Sequence, residues 1–428
     1  MNRRLLAVLV IAVLMLPMAA SIQVARPAAA GLLESDKERV TSPDPASNEQ
    51  ASLVEGNSAF AFDLYQALKV KDGNLFYSPY SISLALAMTY AGARGETAEQ
   101  MAETLQFMLD QDSLHPAFNW LDAELAGRGE GAQGKDGEGF RLNIVNAIWG
   151  QKDYSFLPSF LDVLAENYGA GLRILDFINE TEKSRVTIND WVSDQTEGRI
   201  KDLIPQGAID ALTRLVLTNA IYFNAAWAYP FDEKATVNGP FYLLDGGQVS
   251  VPMMKQTESF GYTDGEGYQA VELTYDGDEL SMVILLPEDG QFQAFEDQLQ
   301  SQEVGDIISS LQPAQVALTM PKFEFDSEFS LKDTLTEMGM PIAFSGEADF
   351  SGMTGGRDLC ISQVIHKAFV SVDEAGTEAA AATAVIMRLT AIPEPPVPVT
   401  IDRPFIFLIR DIETGAILFV GRVLNPGA

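Results

Sequence analysis

The chain has 428 residues, with 28 Lys and Arg against 60 Asp and Glu, one Cys, two His and 47% hydrophobic residues. That apolar share at this length supplies a sizeable core and excludes disorder of the whole chain, while a net charge of −32 disfavours nucleic acid, anionic membrane and sulfated polysaccharide as partners. The single Cys360 excludes an intramolecular disulfide, and its place in Leu359-Cys360-Ile361 marks a buried structural thiol rather than a nucleophile.

Arg3 and Arg4 precede the apolar run Leu5 to Leu16, which ends in Pro17 and the small-residue stretches Met18-Ala19-Ala20 and Ala28-Ala29-Ala30. Residues 1–30 therefore read as a secretory signal peptide, too short and too interrupted for a membrane anchor. Export to the extracellular space, or to a periplasm, is expected. Asn179-Glu180-Thr181 fits a glycosylation sequon. Residues 31–50 are polar and Pro-bearing without apolar periodicity, and read as a flexible lead-in. With no further linker and no internal repeat, residues 51–428 read as one domain.

Ala59 to Leu68, Ser81 to Tyr90 and Ala98 to Leu109 carry apolar residues at helical spacing. Leu142 to Trp149, Leu215 to Phe223, Tyr268 to Tyr275, Leu280 to Leu286, Val316 to Phe325, Val364 to Val372 and Phe405 to Ile409 are strand-like, with Asp276-Gly277 as a hairpin turn. Helices early and strands late, without regular alternation, make the fold class α+β.

Enzyme motifs fail in turn. Gly129 to Lys135 matches a dinucleotide-type GxGxxG and most of a phosphate-binding loop, but Asp136 stands where the latter needs Ser or Thr, and no strand precedes it. It reads as a mobile acidic loop. His115, before Pro116, reads as a turn residue, and there is no GxSxG elbow to present a serine. Two His and one Cys do not make a zinc site, so neither a metal nor another cofactor is expected, and the chain does not read as an enzyme. His366 shares a face with Val364, Ala368 and Val370, which points to a buried, hydrogen-bonded imidazole.

The segment Glu374 to Pro393 supports two readings. Its Ala run after Gly376-Thr377 favours an exposed helix by propensity. At period two, Thr377, Ala379, Ala381, Thr383, Val385, Met387 and Leu389 instead form a small or apolar face, with Glu378 and Arg388 on the other. A strand of that kind enters a packed sheet without forcing bulk into it.

Glu374-Ala375-Gly376-Thr377-Glu378 followed by Ala379, Ala380, Ala381, Ala382 and Thr383 resembles the hinge of inhibitory serpins. Asn74 to Ser83, Leu217 to Trp227, Pro321-Lys322-Phe323, Asp402 to Phe405 and Gly421 to Val423 resemble further serpin segments, in serpin order. The resemblance implies three β-sheets with eight or nine helices, an exposed reactive loop and a metastable native state. It also implies suicide inhibition: a serine protease cleaves the loop, the loop inserts into the central sheet, and the covalent acyl-protease is carried off and trapped. Size permits this, because fourteen strand residues span roughly 46 Å and a domain of about 380 residues is roughly 54 Å across.

By the same resemblance Ser78, Ser81, Asn219 and His366 form a polar shutter beneath the opening sheet, Trp227 marks the entry point, and Lys322 pairs with Glu374 near the hinge. An exposed pair of that kind contributes only about 0–1 kcal/mol. The family's spacing places the reactive bond between Thr390 and Ala391, with Met387, Arg388 and Leu389 filling subsites. Leu389 is the rival reactive residue, and cleavage after Arg388 shortens the insertable strand. An elastase-like or subtilisin-like target follows, bound covalently by a monomeric inhibitor. The region Gln100 to Asp112 carries no basic residue, so no heparin-like cofactor is implied. The alternative is a non-inhibitory serpin serving as carrier, chaperone or storage protein.

Overall fold

The computed structural model describes residues 31–134, 139–377 and 395–427. The chain begins there with a short strand, β1 (Gly31–Leu33), and reaches α1 (Ser47–Leu68) through extended backbone at Ala46, whose amide donates to Glu49 of the first turn. β2 (Leu75–Tyr77) runs into α2 (Pro79–Tyr90), where Ser78 accepts from the Ser81 amide and Pro79 takes the first helical position. α2 is buried on all sides, as a helix at the centre of a molecule must be. Next come α3 (Gly95–Thr104), α4 (Gln111–Ala126), β3 (Arg141–Gln151), α5 (Pro158–Tyr168), β4 (Leu172–Leu175), α6 (Thr181–Gln195) and β5 (Leu215–Ala226).

Strands then dominate: β6 (Val237–Tyr242), β7 (Gln248–Gly265), β8 (Tyr268–Thr274) and β9 (Leu280–Pro287) precede α7 (Phe292–Gln298) and α8 (Ser301–Ser310). β10 (Gln312–Pro321), β11 (Phe323–Ser330), α9 (Lys332–Met338), the single turn α10 (Ser351–Thr354), β12 (Gln363–Val372) and the short β13 (Gly376–Thr377) follow. β14 (Val397–Thr400), β15 (Phe405–Asp411) and β16 (Ile417–Val423) complete the chain.

A seven-stranded sheet has the order β1-β4-β3-β5-β12-β11, with β13 added to β5. A nine-stranded sheet has the order β14-β10-β7-β8-β9-β15-β16-β2, with β6 on β7. The second and third sheets implied by the resemblance are therefore continuous here: β7 pairs β6 through its first third and β8 through its last residues. The main core contains the odd-numbered Leu215, Leu217, Ile221, Phe223 and Ala225 of β5, while Val216 and Ala220 join a smaller core with Trp149, Ile188 and Val192.

Several expectations need correction. Residues 31–50 are not a loose lead-in: β1 pairs with the edge strand β4, Arg39 binds two residues of α4, and α1 already covers positions 47–50. Polar side chains suggested solvent, but here they serve as ligands for neighbouring helices. His115 lies inside α4 and is buried, its Nδ1 bonded to the Tyr168 hydroxyl at 2.6 Å, so Pro116 falls within a helix rather than a turn. The run Val316 to Phe325 is two strands, because β10 belongs to one sheet and β11 to the other, the chain changing sheets at Lys322. Among the described residues no helix is long and apolar enough to cross a membrane.

Candidate functional site

The parallel neighbours β5 and β12 join the two halves of the seven-stranded sheet, and they pair only from Val216–Gln363 to Ile221–Ala368. Beyond Ile221 the edge of β5 facing β12 is taken by β13, with Thr377 opposite Ala225 and Gly376 opposite Ala226. Parallel pairing is the less stable kind per residue, and here it forms a short seam.

The segment expected to act as the hinge is fastened at the open end of that seam. Trp227 stacks on Tyr275 with centroids 4.7 Å apart and 11° between planes. The Trp227 amide donates to Ala375 O at 2.8 Å and its indole N–H to Asp373 O at 3.0 Å, while the Phe231 amide donates to Glu374 O at 2.7 Å. Tyr275 and Thr377 share a hydroxyl hydrogen bond of 3.1 Å, both residues being buried.

Lys322 Nζ lies 2.6 Å from one Glu374 carboxylate oxygen, and the Thr236 hydroxyl donates to the other at 2.6 Å. The pair expected to be exposed is thus partly enclosed, with the Glu374 side chain only 9% accessible. Burial works to raise the Glu374 carboxyl, but the hydrogen bonds from Lys322, Thr236 and its own amide outweigh it and hold the group below its ordinary value.

Gly376 has φ of 152°, and a Cβ there would lie 2.3 Å from Ala225 O. Only glycine fits this approach of one backbone to another. Gly376→Ala is expected to weaken the native fold by about 1–3 kcal/mol, read as a lower denaturant midpoint; an unchanged midpoint would mean that the hinge is not held against β5.

Midway along the seam lies a polar row. Asn146 on β3, Asn219 on β5 and His366 on β12 are direct cross-strand neighbours, with the start of α2 against them. The Ser78 amide donates to His366 Nε2 at 3.3 Å, which leaves Nδ1 protonated and donating to Asn219 Oδ1. Asn219 Nδ2 in turn donates to Ser81 Oγ and Asn146 Oδ1, and Asn146 Nδ2 donates to Ser81 O at 3.1 Å. Burial pushes the His366 imidazole down to about 3, so it is neutral, as the accepting Nε2 requires.

The structure thus brings together Ser78, Ser81, Asn219 and His366 at the seam, and Trp227, Lys322, Glu374, Gly376 and Thr377 at its open end. Glu378, Ala379, Ala380, Ala381, Ala382, Thr383, Met387, Arg388, Leu389, Thr390 and Ala391 lie outside the described residues. Sequence reasoning missed Asn146, which the pattern of its strand did not set apart from Asn143 three residues earlier, and Tyr275 and Thr236, which only the tertiary fold carries to the hinge. Burial raises the half-buried Cys360 thiol above its ordinary value, so it is not poised as a nucleophile.

A family model described as Serpin (serine protease inhibitor) matches residues 55–426. An uncharacterized serpin-like protein of Thermococcus kodakarensis is 41% identical over 380 residues, covering 88% of this chain and 87% of its own. The leukocyte elastase inhibitor of Homo sapiens is 40% identical over 386 residues, covering 87% of this chain and 99% of its own. Among solved structures, human thyroxine-binding globulin in complex with thyroxine matches with a TM-score of 0.78 at 31% identity, covering 89% of this chain and 100% of its own. A match of this extent, together with a hinge seated beside β5 and a polar row under the seam, places the chain in the serpin family of α+β fold.

Proposed function

We propose that this serpin inhibits a serine protease as a suicide substrate. The protease cleaves between Thr390 and Ala391: the serine oxygen bonds to the Thr390 carbonyl carbon, and the Thr390–Ala391 amide bond breaks as its nitrogen takes up a proton. The resulting acyl-enzyme keeps the protease attached to the chain that then inserts.

The observation that supports insertion is the register of β13. Continued from Thr377 opposite Ala225, it sets Thr383 against Asn219 and Met387 against Leu215, the first residue of β5. Directly opposite residues share a face, so Thr377, Ala379, Ala381, Thr383, Val385 and Met387 face the main core with the odd-numbered residues of β5. These are the small and apolar side chains, while Glu378 and Arg388 fall on the other face. Insertion separates His366 from Asn219 and offers the Thr383 hydroxyl in that gap, so the polar row remains partnered in both states.

Small residues at the cut favour an elastase-like or subtilisin-like target, and similarity to an inhibitor named for leukocyte elastase is consistent with the first. The inhibitor acts as a secreted monomer on this reading. The test is incubation with an elastase-like and a subtilisin-like protease, followed by a denaturing gel and mass spectrometry. A covalent band at the summed mass with a released fragment starting at Ala391 is expected. Loop cleavage with no such band for either protease would favour the carrier, chaperone or storage alternative.

A further inference from the structure

Three neighbouring strands of the nine-stranded sheet, β14, β10 and β7, share an outward face without carboxylates. Lys255, Thr319 and Thr400 stand directly opposite one another across it, and Thr257, Ala317 and Pro398 form the next row. Lys255, Thr257, Pro398 and Thr400 are exposed, and Ala317 and Thr319 are half-buried. Met254, Leu318, Met320 and Val399 are buried, so the two rows form the wet side of this part of the sheet. β10 and β14 carry no charged residue, and Lys255 is the one charge on the two rows, in a chain of which 21% is charged.

A solvated strand face in this chain looks different. β11 turns Glu324, Asp326 and Glu328 outward in succession. Solubility does not require the Thr, Ala and Pro of β10 and β14. The core of a protein–protein contact does favour them, because any charge placed there must be stripped of water.

Both ends of the reactive loop border the same strands. Lys322, the residue after β10, holds Glu374 at the start of the loop, and the chain returns as β14 with Val397 beside Val316 of β10. Ala391 lies six residues before Val397, a reach of at most about 22 Å for extended chain. A serine protease of about 240 residues is roughly 45 Å across, and three adjacent strands occupy about 10 Å. A protease closed on the bond between Thr390 and Ala391 is wider than its distance from β14, and so overhangs these strands.

We propose that the outward face of β14, β10 and β7 is a docking surface for the body of the target protease, against which a neutral rim of that enzyme closes while its cleft holds the loop. This rests on the suicide-substrate reading above and adds a second point of recognition, set by the surface of the protease rather than by its preference at the cut.

Because trapping is irreversible, the second-order rate constant of inhibition carries the affinity of the first encounter. It is measured with the elastase-like and the subtilisin-like protease for the parent chain and for Ala317→Tyr and Thr319→Glu, which add neutral bulk and a charge to the middle strand. Both variants are expected to inhibit roughly tenfold more slowly or worse, the cost of spoiling one residue at the centre of a contact. Stoichiometry and denaturant midpoint stay unchanged, since neither side chain faces the seam. If a β10 variant does not fold, Thr257→Tyr on the neighbouring strand decides. Rates equal to the parent's would overturn the docking surface and leave the trap standing. So would a loss confined to Thr319→Glu that added salt abolishes, because that is long-range charge and not contact. No covalent complex from the parent chain would overturn both readings.

Discussion

Thr377→Arg is expected to turn the inhibitor into a substrate: the loop is still cut, but the covalent complex falls below detection on a denaturing gel. Thr377 is buried against Tyr275 and opposite Ala225, and on the proposed mechanism it is the first inward residue of the inserting strand. An arginine there must either carry its charge into the core, at several kcal/mol, or keep β13 away from β5. Either outcome slows insertion at its first step, while the bond between Thr390 and Ala391 stays available to the protease. Deacylation then overtakes trapping. Undiminished complex formation by Thr377→Arg would contradict insertion through this seam.

The second large effect is on pH. Burial pushes His366 down to about 3, and burial, followed by the charge of Arg94, pushes His115 down to about 4. Both imidazoles are neutral in the folded chain, whereas the unfolded chain takes up their protons as the pH falls through about 6.5. Stability from both is therefore complete above pH 6.5 and is lost below it, down to their folded values. Each histidine contributes a slope approaching 1.4 kcal/mol per pH unit, or about 2 kcal/mol by pH 5. That window lies above the range in which carboxylates such as Glu374 and Asp349, held below their ordinary values, begin to lose their own contribution. Urea midpoints should fall from pH 7 to pH 5, and His366→Gln should lose about half of that fall. A variant with the same pH dependence as the parent chain would show that His366 is not held neutral by the fold.

Local pattern carried much of the fold, because long apolar periods such as Leu215 to Phe223 leave few alternatives. It failed where tertiary contacts decide. β7 buries only Val251, Met253, Met254 and Phe260 of its eighteen residues and contains Pro252, so it gives a weak strand signal by itself and exists through its partners β6, β8 and β10. Residues 31–46 were unreadable for a related reason: Arg39 among polar neighbours looks like solvent-facing chain until α4 supplies Asn119 and Asp122.

The site divides along the same line. Gly376, Thr377 and His366 stood out in the sequence by type and spacing. Asn146 and Tyr275 did not, because their roles arise only where β3 meets β5 and where a hairpin meets the hinge. Propensity favoured a helix over the Ala-rich segment, yet its first residues, Gly376 and Thr377, already pair as strand with β5.

The central claim is that β5 and β12 part to take in residues from Thr377 onward as a strand. The most direct measurement is made on the chain cut once within its reactive loop and left intact elsewhere, comparing its denaturant midpoint and the amide exchange of residues 377–387 with those of the uncut chain. Insertion predicts a much higher midpoint and new protection through Met387. A midpoint and exchange pattern unchanged by the cut would contradict it.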